Sequence, residues 1–288
     1  MNTQHLLKSD RILFMGSPDY SVPTLEAVYR TFQGCIQAVI TQPDREKGRG
    51  KQVQPTAVKT HALEYLLPVY TPVSKTELEA LTVSLNPSLI IVIAYGMILP
   101  KSITDRFLCL NLHGSLLPAY RGASPVQSAL LNGDIETGVT LIRMNERMDE
   151  GPILASAAIS IGPDDCFGTL FEKLSHLSAT LCVQFLQTIS PLTPETPQDH
   201  LQATYCKKLF SADFELRPHQ ESPHQMSHKI RAFSPKPGAF IMLDGKRVKI
   251  LSATLENHHL IPLTVQPEGK KPMPYTDYLR GNPAGLEL

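Results

Sequence analysis

Apolar residues in the first two thirds of the chain cluster in short runs, and between the runs they recur every three or four positions. The runs are 11–16 (RILFMG), 36–41 (IQAVIT), 89–94 (LIIVIA), 109–113 (CLNLH) and 139–144 (VTLIRM). Runs of this length, bounded by turn residues, read as buried strands. Amphipathic stretches at 24–32, 56–66, 75–85 and 125–131 lie between them, and 169–188 reads as a closing helix. This alternation predicts an α/β fold: a Rossmann-like, mostly parallel sheet with helices on both faces.

The pattern changes at 190–198 (SPLTPETPQ), which holds three prolines and no large aliphatic residue beyond Leu192. That composition is a linker's. Farther on, 239–243, 247–251 and 260–265 are strand-like runs separated by turn residues such as Asp244-Gly245. They predict a small antiparallel β domain. The chain thus divides into an α/β domain at 1–189, a linker at 190–203 and a β domain at 204–288. Its 288 residues suit two domains.

Charge adds one distinction. The chain balances 27 Lys and Arg against 27 Asp and Glu, yet residues 204–288 hold twelve basic residues against eight acidic. The second domain is mildly basic, and charge alone reads as a solvated surface. The five cysteines, at 35, 109, 166, 182 and 206, are odd in number and form no CxxC pair. This argues against a disulfide framework or zinc knuckle and for a reducing compartment. The first ten residues are polar and lack the apolar centre of a signal peptide. The longest apolar run, 89–94, is far too short to span a bilayer. The expectation is a cytoplasmic protein with no membrane association.

Three places carry candidate chemistry. Asn111 and His113 end the 109–113 run two residues apart, so on a strand they share a face. The carboxyl ends of parallel strands are where ligands bind in open α/β sheets. An amide and an imidazole there suit oxyanion stabilisation and proton transfer, although spacing alone favours a satisfied polar strand end. Asp149, in MDEGP after the 139–144 run, is either an ordinary turn residue or the carboxylate that orients His113. The stretch 44–51 (DREKGRGK) carries four basic residues, two acidic ones and two glycines. It reads as an exposed mobile loop or as a cationic loop that follows a phosphate backbone. Gly16-Ser17-Pro18-Asp19 lacks the GxGxxG spacing, which disfavours NAD, and 47–51 lacks that of a P-loop. No HExxH or Cys/His cluster points to a metal.

Taken together, the segments RILFMGSPDYSVPTLEAV (11–28), TQPDREKGRGKQVQPTAVK (41–59), NLHGSLLPAYRGASPVQSALLNGDIETGVTLIRM (111–144), MDEGPIL (148–154), ATYCKKL (203–209), IRAFSPKPGAF (230–240) and QPEGKK (266–271) resemble the folate-dependent formyltransferases. The second, sixth and seventh of these segments and RGASP (121–125) are similar to the methionyl-tRNA formyltransferase family in particular. The resemblance implies catalysis by Asn111, His113 and Asp149. It implies a tetrahydrofolate site at Ser115, Leu116, Leu117 and Pro118 with Ala94, Tyr95 and Gly96. It also implies contacts with tRNA at Arg45, Lys47, Arg49, Lys51 and Lys208. The co-substrate implied is 10-formyltetrahydrofolate without a metal, and the partner is methionyl-initiator tRNA, bound by a monomer whose second domain is an OB-like β-barrel.

One departure bears on that barrel. Only fourteen residues separate Leu251 from Gln266, where the family carries a longer stretch with a further strand pair. The expectation is therefore a truncated or open barrel. A formyltransferase acting on an amino-sugar nucleotide, which shares NLHGSLLP, and a non-catalytic RNA-binding homologue are the alternative readings.

Overall fold

The computed structural model describes residues 11–47, 50, 52–190 and 192–288. They form two compact units. One holds the chain up to Arg121, with Gly138–Ala158 and Glu172–Tyr205; the other holds Gly122–Thr137, Ile159–Phe171 and Cys206–Leu288.

In chain order the elements are β1 (Ile12–Gly16), α1 (Val22–Thr31), β2 (Ile36–Ile40), β3 (Arg45–Lys47), β4 (Gln52–Gln54), α2 (Ala57–Glu64), β5 (Val69–Tyr70) and α3 (Lys75–Leu85). Next come β6 (Leu89–Ile93), α4 (Lys101–Arg106), β7 (Leu108–His113), β8 (Arg121–Gly122), α5 (Pro125–Asn132), β9 (Glu136–Arg143), β10 (Ile153–Ser160) and α6 (Phe167–Thr188). The chain closes with β11 (Tyr205–Cys206), α7 (Pro223–Phe233), β12 (Ala239–Leu243), β13 (Lys246–Glu256), β14 (His259–Pro267), β15 (Met273–Pro274) and α8 (Tyr275–Gly281).

A seven-stranded sheet of order β10-β9-β7-β6-β1-β2-β5 organises the first unit. Its β1, β2, β5, β6 and β7 run parallel, and β9 runs antiparallel to β7. Every residue of β1 and β6 is buried, as unbroken apolar runs require when helices cover both faces. Each such aliphatic side chain contributes about 1.5–3 kcal/mol through burial. One layer joins Leu13, Met15, Ile40, Ile90 and Val92 to Leu78, Ile103 and Cys109. The helices begin where local chemistry stops the strand: Thr56 accepts from the Lys59 amide at the start of α2, and Ser74 from the Glu77 amide at the start of α3.

From β1 the chain moves to β2 on one side and later to β6 on the other, so the order reverses between β1 and β6. Gly16 leaves β1 at that point because a Cβ there would lie 3.0 Å from the Ile93 carbonyl oxygen. Ser21 and Ser17 donate to the carbonyls of Ile93 and Tyr95 at 2.7 and 2.9 Å. The carboxyl ends of β1 and β6 are therefore joined at the crevice that such folds use for ligands.

The second unit contains a four-stranded antiparallel sheet, β12-β13-β14-β15. Asp244 and Gly245, both at positive φ, turn β12 into β13, as an Asp-Gly pair predicts. The short stretch after Leu251 extends β13 and β14 into one long hairpin whose turn, Asn257-His258, is also at positive φ. The barrel expectation thus resolves to an open sheet. Helix α7 packs on β13, and α5 packs on α7. Among the described residues no helix is long and apolar enough to cross a membrane.

All five cysteines are free thiols. Burial pushes Cys109 and Cys182 up to about 12, whereas Cys35, Cys166 and Cys206 are half-buried. At pH 8 thiols held there stay protonated, and the thiolate is the reactive form. Mass mapping of the native protein after brief iodoacetamide treatment should find Cys109 and Cys182 unmodified, with both modified once urea unfolds the chain. Prompt native modification of either would contradict the burial described.

Candidate active site

Strand β7 lies between parallel β6 and antiparallel β9, in a register that sets Asn111 beside Val92 and Ile142, and His113 beside Thr140. Cys109, Asn111 and His113 share one face of the pleat. Cys109 is in the core, and toward the carboxyl end the same face presents the amide and the imidazole. His113 is buried, with 6% of its surface exposed.

The Asp149 carboxylate meets both. Asn111 Nδ2 donates to Asp149 Oδ1 at 3.4 Å, and His113 Nδ1 lies 3.6 Å from the same oxygen. The other ring nitrogen, Nε2, is 2.8 Å from the Tyr120 carbonyl oxygen. A carbonyl can only accept, so Nε2 carries a proton and donates it there, and Nδ1 is the nitrogen turned toward the carboxylate. A direct charge-assisted hydrogen bond spans about 2.7–2.9 Å. The longer Nδ1 to Oδ1 spacing leaves the ring and the amide able to share an incoming polar atom. The three residues singled out in the sequence are therefore together.

Two backbone features hold this arrangement. Asp149 and Tyr120 both occupy the left-handed region, at φ of 56° and 58°. A left-handed non-glycine residue is strained and persists where its surroundings fix it. Around Asp149 the fixing is close: a Cβ on Gly151 would lie 1.8 Å from the Arg143 carbonyl oxygen, and the Arg143 amide donates to the Pro152 carbonyl at 3.0 Å. MDEGP is thereby pressed against the end of β9.

The other implied positions divide. Ala94 and Gly96 are exposed and at positive φ just past β6. Tyr95 turns its ring into the core, where burial, with the charge of Glu77 adding, pushes its hydroxyl up to about 12. This residue thus offers main chain to the crevice. Ser115 is fully buried, and its hydroxyl donates to the Ala119 carbonyl at 2.6 Å. Thr140 binds the same loop by donating to the Ser115 carbonyl and accepting from the Leu117 amide. Leu117 is buried, while Leu116 and Pro118 are half-buried.

Part of the basic stretch after β2 is strand: Arg45–Lys47 (β3) pairs antiparallel with Gln52–Gln54 (β4). Arg45 is exposed and donates to Gln42 at 3.1 Å; the side chain of Lys47 and the residues Arg49 and Lys51 lie outside the described set. Lys59 pairs with Asp44 at 2.8 Å, which offsets one of the acidic charges beside these strands. Lys208, in the second unit, is exposed with its ammonium 5.9 Å from the Phe210 ring centre. Among the described residues no group of three or more His, Cys, Asp or Glu is gathered to hold a metal ion.

The formyl transferase family model matches residues 10–186, and the model of the formyl transferase C-terminal domain matches 211–262. A methionyl-tRNA formyltransferase from Latilactobacillus sakei is 38% identical over 94% of each chain. The chain belongs to the methionyl-tRNA formyltransferase family. The fold agrees: a methionyl-tRNA formyltransferase from Clostridium thermocellum superposes with a TM-score of 0.64 at 17% identity, covering 90% of this chain and 98% of that one. HypX from Aquifex aeolicus, solved in complex with tetrahydrofolic acid, has a TM-score of 0.64 at 15% identity over 94% of this chain and 47% of its own.

Within this formyltransferase, sequence reasoning missed the Tyr120 carbonyl and Gly151. A main-chain acceptor leaves no signature in residue type. Gly151 did carry a signal, since a glycine two residues after a candidate carboxylate marks close backbone packing. Gly151→Ala should lower the melting temperature by several degrees, equivalent to about 1–3 kcal/mol of overpacking. It should also cut kcat for formyl transfer at least tenfold by displacing Asp149. Calorimetry and a formylation assay check both, and an alanine variant matching wild type in each would remove the packing argument.

Proposed function

We propose that this formyltransferase moves the formyl group of 10-formyltetrahydrofolate to the α-amino group of methionyl-initiator tRNA, with Asn111, His113 and Asp149 as its catalytic residues. The observation that carries the assignment is the convergence of Asn111 Nδ2 and His113 Nδ1 on one oxygen of Asp149 at the carboxyl end of β7.

Attack of the neutral amine on the formyl carbon forms a C–N bond and builds negative charge on the formyl oxygen. Asn111 Nδ2 and a protonated His113 Nδ1 are the donors available to that oxygen. Losing one such donor costs about 3–4 kcal/mol of barrier. The amine, now cationic, must lose a proton, and the departing folate nitrogen must gain one as its C–N bond breaks. Asp149 Oδ1, in reach of His113 Nδ1, is placed to accept the first and return it. Acid–base assistance of this kind contributes about 10²–10⁴-fold. Because Nε2 is engaged by Tyr120, the proton exchange of His113 runs through Nδ1.

The folate is a co-substrate, consumed at each turnover. Exposed main chain at Ala94 and Gly96, with the half-buried apolar side chains of Leu116 and Pro118, suits a flat ring with hydrogen-bonding edges. The β3–β4 pair, with exposed Arg45, suits the phosphates of the tRNA acceptor arm, as does Lys208 in the second unit.

In a formylation assay, Asn111→Ala, His113→Ala and Asp149→Ala should each reduce kcat at least 100-fold while their melting temperatures stay near wild type. Wild-type turnover by any one would withdraw that residue from the catalytic set. Uncharged tRNA and amino-sugar nucleotides should remain unformylated. Arg45→Ala should weaken tRNA binding and lower the slope of log affinity against log salt by about one, without altering the folate KM. A salt slope identical to wild type would separate the β3–β4 pair from the phosphates.

A further inference from the structure

Residues 187–210 lie between the two family matches and carry the proline-rich composition of a spacer. Part of this stretch is nonetheless built into the catalytic centre. Thr196 exchanges a pair of main-chain hydrogen bonds with Ile153, at 2.8 and 2.9 Å, just past the Asp149 loop. Two residues later the Gln198 side chain is buried, with 6% of its surface exposed. Its Nε2 donates to the carbonyls of Asp149 and Gly151, at 2.8 and 2.7 Å. Its Oε1 accepts from Nε and Nη2 of Arg121, at 3.0 and 2.7 Å. Arg121 is itself 1% exposed, and its remaining nitrogen is occupied by His200 and Tyr205.

The amide has only one orientation that satisfies this set. A guanidinium only donates and a carbonyl only accepts, so the oxygen must face Arg121 and the nitrogen must face the Asp149 loop. Burial makes the match strict, because a mispaired polar group there has given up its hydration without a hydrogen bond in return.

The same strap reaches the opposite side of the imidazole. The Thr204 hydroxyl accepts from the Tyr120 amide at 2.8 Å, its carbonyl accepts from the Arg121 amide at 2.9 Å, and its amide donates to the Pro118 carbonyl at 3.2 Å. The Arg121 N–H and the Tyr120 C=O belong to one planar peptide group and point in opposite directions. Holding that N–H on the Thr204 carbonyl therefore aims the C=O at His113 Nε2, 2.8 Å away, and the Thr204 hydroxyl, bound to the Tyr120 amide, orients the left-handed residue that carries this C=O.

We infer that Gln198 and Thr204 are positioning residues for formyl transfer: Gln198 fixes the left-handed main chain that carries Asp149, and Thr204 fixes the Tyr120 carbonyl that anchors His113. The inference rests on the catalytic assignment of Asp149 and His113 and extends it to the segment joining the two family-matched regions.

Gln198→Glu separates positioning from mere support. A glutamate keeps an acceptor for Arg121 but turns an oxygen toward two carbonyls. Gln198→Leu loses both halves, and Thr204→Val removes the hydroxyl alone. In steady-state formylation, Gln198→Glu should lower kcat about 10- to 100-fold, the range seen when the support of a reacting group is lost, with both KM values within about twofold of wild type. Its melting temperature should exceed that of Gln198→Leu, so that stability recovers and turnover does not. Thr204→Val should lower kcat several-fold with KM unchanged. The inference is overturned if Gln198→Glu and Thr204→Val turn over like wild type, if the loss resides in KM, or if kcat rises in step with melting temperature between the leucine and glutamate variants. If Gln198→Glu fails to fold, Gln198→Leu decides the Gln198 half, an unchanged kcat overturning it, and Thr204→Val decides the other half. Should His113→Ala and Asp149→Ala stay active, the catalytic assignment fails; should they be inactive while the strap variants are not, only the strap's role fails.

Discussion

The contact between His113 Nε2 and the Tyr120 carbonyl, at 2.8 Å, determines what the rest of the centre can do. It spends one ring nitrogen on the backbone, fixes the proton on that side and leaves Nδ1 as the single nitrogen facing Asp149. A histidine free to rotate would present either nitrogen and would lose the relation to Asn111 that the two-residue strand spacing provides. The pleat sets where the side chains start, and the carbonyl sets where the ring ends. The convergence of the two side chains on one oxygen of Asp149 depends on both.

That contact has a conformational cost, and the cost explains the local sequence. Tyr120 and Asp149 are both left-handed, and such a non-glycine residue costs about 1–3 kcal/mol. Aspartate tolerates this region better than tyrosine, since its short side chain bonds locally. The strain is offset by neighbours that leave the chain no other path. Gly151 closes the approach to β9, and Thr140 ties the loop that begins at Ser115. The residues around Asn111, His113 and Asp149 are therefore explained by backbone geometry.

Legibility in the sequence follows burial. β1 and β6 were readable because burial on both faces writes an uninterrupted apolar run. β10 was not, because it lies at the edge of the sheet with small residues and an alternating, half-exposed pattern (ILASAAIS). Helix α7 escaped notice because its polar composition hides a buried face of Met226, Ile230, Ala232 and Phe233, although Ser222 and Gln225 form a capping box that marks its start. The described side chains of β3 and β4 are exposed and, apart from Val53, polar, so no periodicity betrays the pair. Asn111 and His113 were legible as a pair from strand spacing. From its position Asp149 stood open between a turn residue and a partner for His113, and family resemblance implied the second, since the approach depends on a positive φ that residue type does not announce.

The second unit raises a separate physical question, because an open sheet exposes strand edges that a closed barrel removes. Here the edges are managed locally. Beside β12, Glu215 forms a bridge with Phe240 and the Leu216 amide donates to the Phe240 carbonyl at 2.8 Å, so the chain entering the unit covers that edge. At the far side β15 is only two residues long and contains Pro274, which has no amide hydrogen to offer. Between them β13 and β14 pair through a two-residue turn, and α7 covers the face with Ile230 and Phe233. Arg247 sets its guanidinium 4.5 Å from the Phe240 ring centre, a charged lid over an aromatic that would otherwise face water. The bridge and the proline thus close the outer edges of the four-stranded part, while β13 and β14 run on past both neighbours and pair only with each other at Ala253–Glu256 and His259–Pro262.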